Sequence, residues 1–401
     1  MKDPLRDRFY GFDEAKKIQE KGLYAFFRPF NARQETIVKV NGKNVLMFGS
    51  NSYLGLTTHP KVIEASENAL KKYGSSCSGS RFLNGTTDLH QQLESRLATF
   101  LGKEDALVFS TGYQVNLGTI PTITRKEDMI FLDRLNHASI YEGSKLSEAS
   151  YVRFKHNDMA SLEQKLSSCK APGVKFIIVD GVFSMEGDIA DLPGIVRLAK
   201  KYNAVVMSDC AHAVGVLGEN GRGTANHFDL TDEVDLIGGT FSKSLASVGG
   251  FIAGNKETIH YLKHKSRALI FSASMTPSST AAALASLDII EKDDSIRQKL
   301  WENTSYALEQ LKEIGFDTGN SETPIIPIYI RDDIKAYEFV HRLFDEGLFV
   351  NPVVSPAVSS SDSLIRFSLM ATHTFDQIDK AISLMAKIAK EIGVPLRSKA
   401  A

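Results

Sequence analysis

The chain has 401 residues, with 47 Lys and Arg against 48 Asp and Glu, so its formal net charge is −1 with histidine neutral. Apolar residues make up 43% and charged residues 24%, the balance of a globular protein of two or three domains, and this excludes disorder along the whole chain. The near-zero charge argues against a nucleic-acid binder working through a basic face. No apolar run is long enough to span a membrane. Three scattered cysteines, Cys77, Cys169 and Cys210, make neither a disulfide frame nor a zinc knot, and no metal site is expected.

Residues 11–22 (GFDEAKKIQEKG) read as a short amphipathic helix with Phe12, Ala15 and Ile18 on one face and Gly22 as its stop. The opening stretch MKDPLRDRFYGFDEAKK lacks the apolar core of a secretory signal, so a cytoplasmic location is expected. TIVKVNGKNVLMFG (36–49) reads as a hairpin turning at Asn41-Gly42. These elements form an N-terminal segment, 1–50.

From there to about 290, helical stretches alternate with short apolar runs: ALVFS, MIFLD, KFIIVD, AVVMSD, DLIGGT and GGFIAG. That pattern predicts a large α/β domain over 51–290, with a mostly parallel sheet and helices on both faces. Its ligands belong beyond the carboxyl ends of the strands. The remainder, 291–401, reads as a smaller α+β domain. A helix over 295–314 is followed by PIIPIYI, a second helix, strand-like LFVNPVV and LIRFSLM, and a last helix over about 375–392. Thr374 and Gln377 fit a capping box for that last helix, and Gly393 fits its close.

The chemistry starts from two strand ends. Asp209 closes AVVMSD, and Lys243 follows DLIGGTFS. A lysine amine can form a Schiff base with an aldehyde cofactor, and a carboxylate opposite can hold a pyridinium nitrogen. From spacing alone a capping Asp and a solvated Lys fit as well. The surroundings favour the cofactor. Gly112 and Tyr113 open a helix after a strand, where backbone N–H groups suit a phosphate. Thr240 and Ser242 offer hydroxyls just before Lys243. His137, Ser184 and His212 each follow a strand end. An imidazole at His137 could stack on a planar ring, and Ser184 and His212 could reach its phenolic oxygen.

Taken together, SNSYLGL, GSRFLNGTTDLHQQLE, FSTGYQVN, DRLNHASI, DGVFSMEGD, SDCAH, GTFSKSLASVGG, FSASMTP and LIRFSLMATHT occur in the order in which their counterparts occur in a known family. Over roughly residues 10–392 the chain resembles the α-oxoamine synthases, fold-type-I enzymes of the aspartate-aminotransferase-like fold that use pyridoxal 5'-phosphate (PLP). The resemblance implies a decarboxylating condensation of an amino acid with an acyl-CoA. GSRFLNGTTDLH, GTFSKSLAS, FSASM and NPVVSPAV are most similar to the branch that joins L-serine to a long-chain acyl-CoA.

The resemblance also implies roles. Lys243 carries the cofactor, Asp209 pairs with the pyridine nitrogen and His137 stacks on the ring. Ser184 and His212 approach the phenolic oxygen, while Gly112, Tyr113, Thr240 and Ser242 cradle the phosphate. Ser272 and Ser274 reach that phosphate from a neighbouring subunit, which implies a homodimer. Arg366 pairs with the amino-acid carboxylate, and Asn51 lies beside it. Glycine- or alanine-using sister synthases, and an aminotransferase on the same fold, are the alternatives. One departure is Cys210, where the family usually has an acid; Cys210 and Cys77 both read as packing. The aromatic stretch at Phe26, Phe27 and Phe30 reads either as cover for the site or as a peripheral membrane contact.

Overall fold

A computed structural model describes residues 3–40 and 42–397. Its centre is a seven-stranded sheet built from β3 (Asp105–Phe109), β4 (Met129–Asp133), β5 (Ser150–Phe154), β6 (Lys175–Asp180), β7 (Ala204–Asp209), β8 (Leu236–Thr240) and β9 (Gly250–Gly254). They lie in the order β3-β9-β8-β7-β6-β4-β5. β5, β4, β6, β7 and β8 run parallel, and β9 is antiparallel to both its neighbours. The six apolar runs read from the sequence are six of these strands. The seventh, β5, is an edge strand with one fully buried residue, Phe154, so it lacks the continuous apolar run of its neighbours. Helices cover both faces, and two apolar clusters fill the space between them and the sheet.

The first hairpin pairs β1 (Ile37–Val40) with β2 (Lys43–Met47). Gly42 has φ +81° at its turn, and Asn41 lies outside the described residues. β11 (Leu348–Phe349) then adds in parallel to β2, which joins the front of the chain to its last third. β10 (Ile325–Tyr329), β12 (Asn351–Val353) and β13 (Leu364–Ser368) form a second small sheet in the order β10-β13-β12. LFVNPVV, read as a single strand, is therefore two strands in two sheets. Pro352 cannot donate to a ladder, and it sits on the edge strand β12.

The helices follow their caps. Ser295–Ile314 and Phe375–Ile392 form as expected. In the latter, Thr374 accepts from the Gln377 N–H, the Gln377 side chain reaches back to Thr374, and Gly393 closes the end at φ +69°. The early helix spans only Glu14–Glu20 and fully buries no residue; Ala15 and Ile18 are half-buried, and Phe12 stands exposed before it.

Candidate active site

The parallel register places the ends of β4, β6, β7 and β8 along one edge of the sheet. Asp180 pairs in register with Asp209, and Asp209 with Gly238, so the two carboxylates and the segment leading to Lys243 are neighbours. A cavity of about 630 Å³ opens at this edge. Eleven of the thirteen residues singled out from the sequence line it: Asn51, Gly112, Tyr113, His137, Ser184, Asp209, His212, Thr240, Ser242, Lys243 and Arg366. Ser272 and Ser274 do not. Ser272 Oγ accepts from Gln114 Nε2 at 2.9 Å, and Ser274 Oγ donates to the Gly79 carbonyl at 3.1 Å.

One end of the cavity is built for an anion. The helix Gly112–Ile123 starts there, with Thr111 capping the Gln114 N–H at 3.1 Å. Thr240 Oγ1 and Ser242 Oγ lie 2.9 Å apart at the close of β8. A Cβ on Gly112 would stand 2.6 Å from Thr240, so only glycine lets the helix start approach these hydroxyls. Backbone donors of a helix start beside two hydroxyls form a phosphate cradle.

The other groups suit an aldehyde-bearing pyridine ring. Burial pulls the Lys243 ammonium down to about 8, with Asp209 opposing the shift, so a useful fraction of the amine is free near neutrality. Asp209 is buried and accepts from Asn116 Nδ2 at 2.8 Å and from the Ala211 N–H at 3.0 Å. Burial also lowers the His137 and His212 imidazoles, which therefore sit towards their neutral forms. The Tyr113 ring meets His137 edge-on, with centroids 6.3 Å apart. The cradle, the low-pKa amine and the buried carboxylate together fit PLP.

Arg366, on β13, lines the same cavity. Its Nε donates to the Ser184 carbonyl at 2.7 Å, its Nη1 to Asn51 Oδ1 at 2.8 Å and Ser368 Oγ at 2.7 Å, and its Nη2 to Tyr53 Oη at 3.1 Å. All four partners are neutral, so the buried charge still seeks an anion. Of the five N–H groups a guanidinium offers, four are engaged, which leaves one Nη2–H for a ligand.

Four residues in this network escaped the sequence reading. Asp180 is fully buried, and burial followed by the neighbouring Asp209 raises its carboxyl well above the ordinary range. Its Oδ2 accepts from the His137 N–H at 2.6 Å. The strand-end rule that found Asp209 could have found it, since Asp180 closes KFIIVD. Asn116 and Tyr53 bind through partners distant in sequence, and Ser139, two residues after His137, joins that imidazole to Asn116. Cys210 is buried, with its thiol raised by burial and its Sγ 3.6 Å from Ser208 Oγ. Cys77 is half-buried and its thiol is raised by desolvation. Among the described residues, no group of three or more His, Cys, Asp or Glu side chains is placed to hold a metal.

A family model described as aminotransferase class I and II matches residues 43–384. Serine palmitoyltransferase of Sphingobacterium spiritivorum is 54% identical over 97% of this chain and 98% of its own. 8-Amino-7-oxononanoate synthase of Petrotoga mobilis is 46% identical over 95% and 98%. A solved structure of SPT with PLP internal aldimine is 36% identical, with a TM-score of 0.95 over 98% of this chain and 100% of that one. The chain belongs to the family of class I and II aminotransferases.

Proposed function

We propose that this protein is a PLP-dependent serine palmitoyltransferase. It would condense L-serine with palmitoyl-CoA to give 3-oxosphinganine, CoA and carbon dioxide. The observation that carries this reading is that Lys243, Asp209, the helix start at Gly112 with Thr240 and Ser242, and Arg366 all line one cavity. The 54% identity to a serine palmitoyltransferase supports it along nearly the whole chain.

PLP held here supplies an electron sink for negative charge at the amino-acid Cα. Lys243 would hold the cofactor's aldehyde carbon and Asp209 its ring nitrogen. As a free amine, Lys243 Nζ would take the Cα proton, a task that its lowered pKa suits. The free Nη2–H of Arg366 holds the serine carboxylate, with Asn51 beside it. His137, which lines the same cavity, would stack on the ring and could position the serine carboxylate or polarise the thioester. The new C–C bond would join Cα to the thioester carbonyl carbon as the C–S bond breaks and CoA leaves as its thiolate. Loss of the carboxylate as carbon dioxide would return the electron pair to Cα, which would take up a proton from the Lys243 ammonium. Val248, Met185, Pro352 and Val353 line the mouth with apolar surface suited to an acyl chain.

A homodimer belongs to the same reading. Phe271, Leu83 and Phe82 stand exposed around Ser272 and Ser274, which supports burial of this face by a second subunit whose phosphate site the serines would complete. The protein acts in the cytoplasm. No described helix is long and apolar enough to cross a membrane. Phe26 and Phe30 pack against Tyr337 and Phe349, while Phe27 projects into solvent as the point for a peripheral membrane contact.

Purified protein loaded with PLP is expected to release CoA and form the long-chain ketone from serine and palmitoyl-CoA, read by mass spectrometry. Serine, alanine and glycine are run in parallel against short and long acyl-CoA. Faster turnover with alanine or glycine and short donors would transfer the assignment to a sister synthase, the reading favoured by the 46% identical relative. A keto acid formed from serine without any thioester would transfer it to an aminotransferase.

A further inference from the structure

Four side chains, three of them lining the cavity and Asn116 buried beside them, form one hydrogen-bonded row. Asn116 Nδ2 donates to Asp209 Oδ2 at 2.8 Å and to Ser139 Oγ at 2.8 Å. Ser139 Oγ lies 2.7 Å from His137 Nδ1, and the Ser139 backbone N–H donates to the same nitrogen at 3.3 Å. Asn116 and Ser139 are both buried. Neither is needed for any step derived above.

The direction of each bond follows from counting hydrogens. A carboxylate only accepts, so the Asn116 atom facing Asp209 is its amide nitrogen. Turning the amide over would set Oδ1 against the carboxylate and strand both amide hydrogens. As placed, one of those hydrogens goes to Asp209 and the other to Ser139. The Ser139 hydroxyl therefore accepts from Asn116, and its own hydrogen is left for His137 Nδ1. With the backbone N–H, that nitrogen receives two donors and has no room for a proton. The proton of a neutral imidazole then resides on the other nitrogen. Burial favours the neutral ring, as noted above.

We propose that Asn116 and Ser139 are positioning residues that hold His137 as its Nε2–H tautomer, a hydrogen-bond donor towards a substrate oxygen. That oxygen belongs to the amino-acid carboxylate or the thioester carbonyl, an assignment that rests on the function proposed above. The tautomer itself does not depend on that assignment. With this polarity His137 cannot serve as a base through Nδ1, because protonation there would break both incoming bonds. The same row connects His137 to the carboxylate that faces the cofactor nitrogen.

The test is nitrogen NMR on protein labelled with 15N-histidine, with two-bond proton–nitrogen correlations identifying which ring nitrogen carries hydrogen. His137 signals are assigned by their loss in His137→Asn. The expected wild-type pattern is an unprotonated Nδ1 and a protonated Nε2, recorded without amino acid or acyl-CoA. Ser139→Ala removes the hydroxyl donor at almost no change of shape. Asn116→Asp replaces the amide donor by an acceptor that draws the Ser139 hydrogen away. Each is expected to raise the ratio of Nδ1–H to Nε2–H by about fivefold, the worth of one hydrogen bond. A wild-type ring protonated at Nδ1 overturns the proposal, and so does a ratio unmoved in both variants. Should a variant not fold, the wild-type spectrum alone still decides. A protein that shows Nε2–H but makes no ketone overturns only the assigned reaction, and one that makes ketone with Nδ1–H overturns only the row.

Discussion

Tyr53 Oη lies 2.7 Å from His212 Nδ1, and both side chains are buried. Because Arg366 Nη2 donates to the same phenol oxygen, the phenol hydrogen is free to point at His212. Tyr53 therefore ties the Arg366 guanidinium, proposed to take the substrate carboxylate, to the His212 imidazole. Tyr53→Phe strands both partners at little change in volume. Leaving a buried polar group unpaired costs about 1–3 kcal/mol, so kcat/KM for serine is expected to fall about 5- to 160-fold. Steady-state kinetics check this, and an unchanged kcat/KM would show that the bridge is idle.

Lys243 gives a pH prediction. Its amine is depressed from 10.5 to about 8 by burial, so half is free at pH 8, against about one part in three hundred for an ordinary lysine. Free amine rises with pH, so covalent capture of PLP by the apo-protein should accelerate through about pH 8 and level off above it. Borohydride reduction followed by peptide mass analysis reads the capture. A rate still climbing at pH 10 would mean an ordinary lysine. Lys243→Ala should show no labelled peptide and lose turnover by at least about a thousandfold.

Gly112 tests the phosphate cradle. Gly112→Ala puts a Cβ 2.6 Å from Thr240 Cβ and Oγ1. Thr240 is buried at the end of β8, so the helix start must retreat from it. PLP affinity, followed by absorbance titration, is expected to weaken about tenfold or more. An unchanged Kd would mean that the helix start does not hold the phosphate.

What the sequence made legible follows from where each residue sits. Asp209 and Lys243 stand at the ends of continuous apolar strands, and strand-end position is a local signal. The same rule reaches Asp180, which closes β6 as Asp209 closes β7. Tyr53, Asn116 and Ser139 could not be read this way. Tyr53 meets His212 across 159 residues, and Asn116 meets Asp209 across 93. Such contacts exist only once the sheet has brought its edge together. β5 was missed for another reason: an edge strand with one buried residue has no apolar run to announce it. Arg366 was legible through the resemblance, which pairs it with the amino-acid carboxylate. That four of its five N–H groups are already engaged was not, because Ser184, Asn51 and Tyr53 come from elements far away in the chain.

His156 ties this edge together and gives a stability prediction of the opposite sign to that for a lowered lysine. Its Nδ1 meets Asp133 Oδ1 at 3.0 Å and its Nε2 meets Asp188 Oδ2 at 2.8 Å. Desolvation lowers its pKa, but the two carboxylates outweigh it and raise the imidazole to about 10. Between pH 6.5 and 10 the folded protein thus holds a proton that the unfolded chain has released, so stability falls as pH rises. The contribution is complete below about 6.5 and is lost through about 10. His156→Gln keeps hydrogen bonds but cannot become charged. At pH 6 it should be less stable than wild type by about 3–5 kcal/mol, the cost of removing one member of a buried ion pair. By pH 10 that gap should have narrowed to a small remainder. Parallel denaturant titrations at pH 6, 8 and 10 measure it, and a gap constant across that range would mean that His156 is neutral in the folded protein.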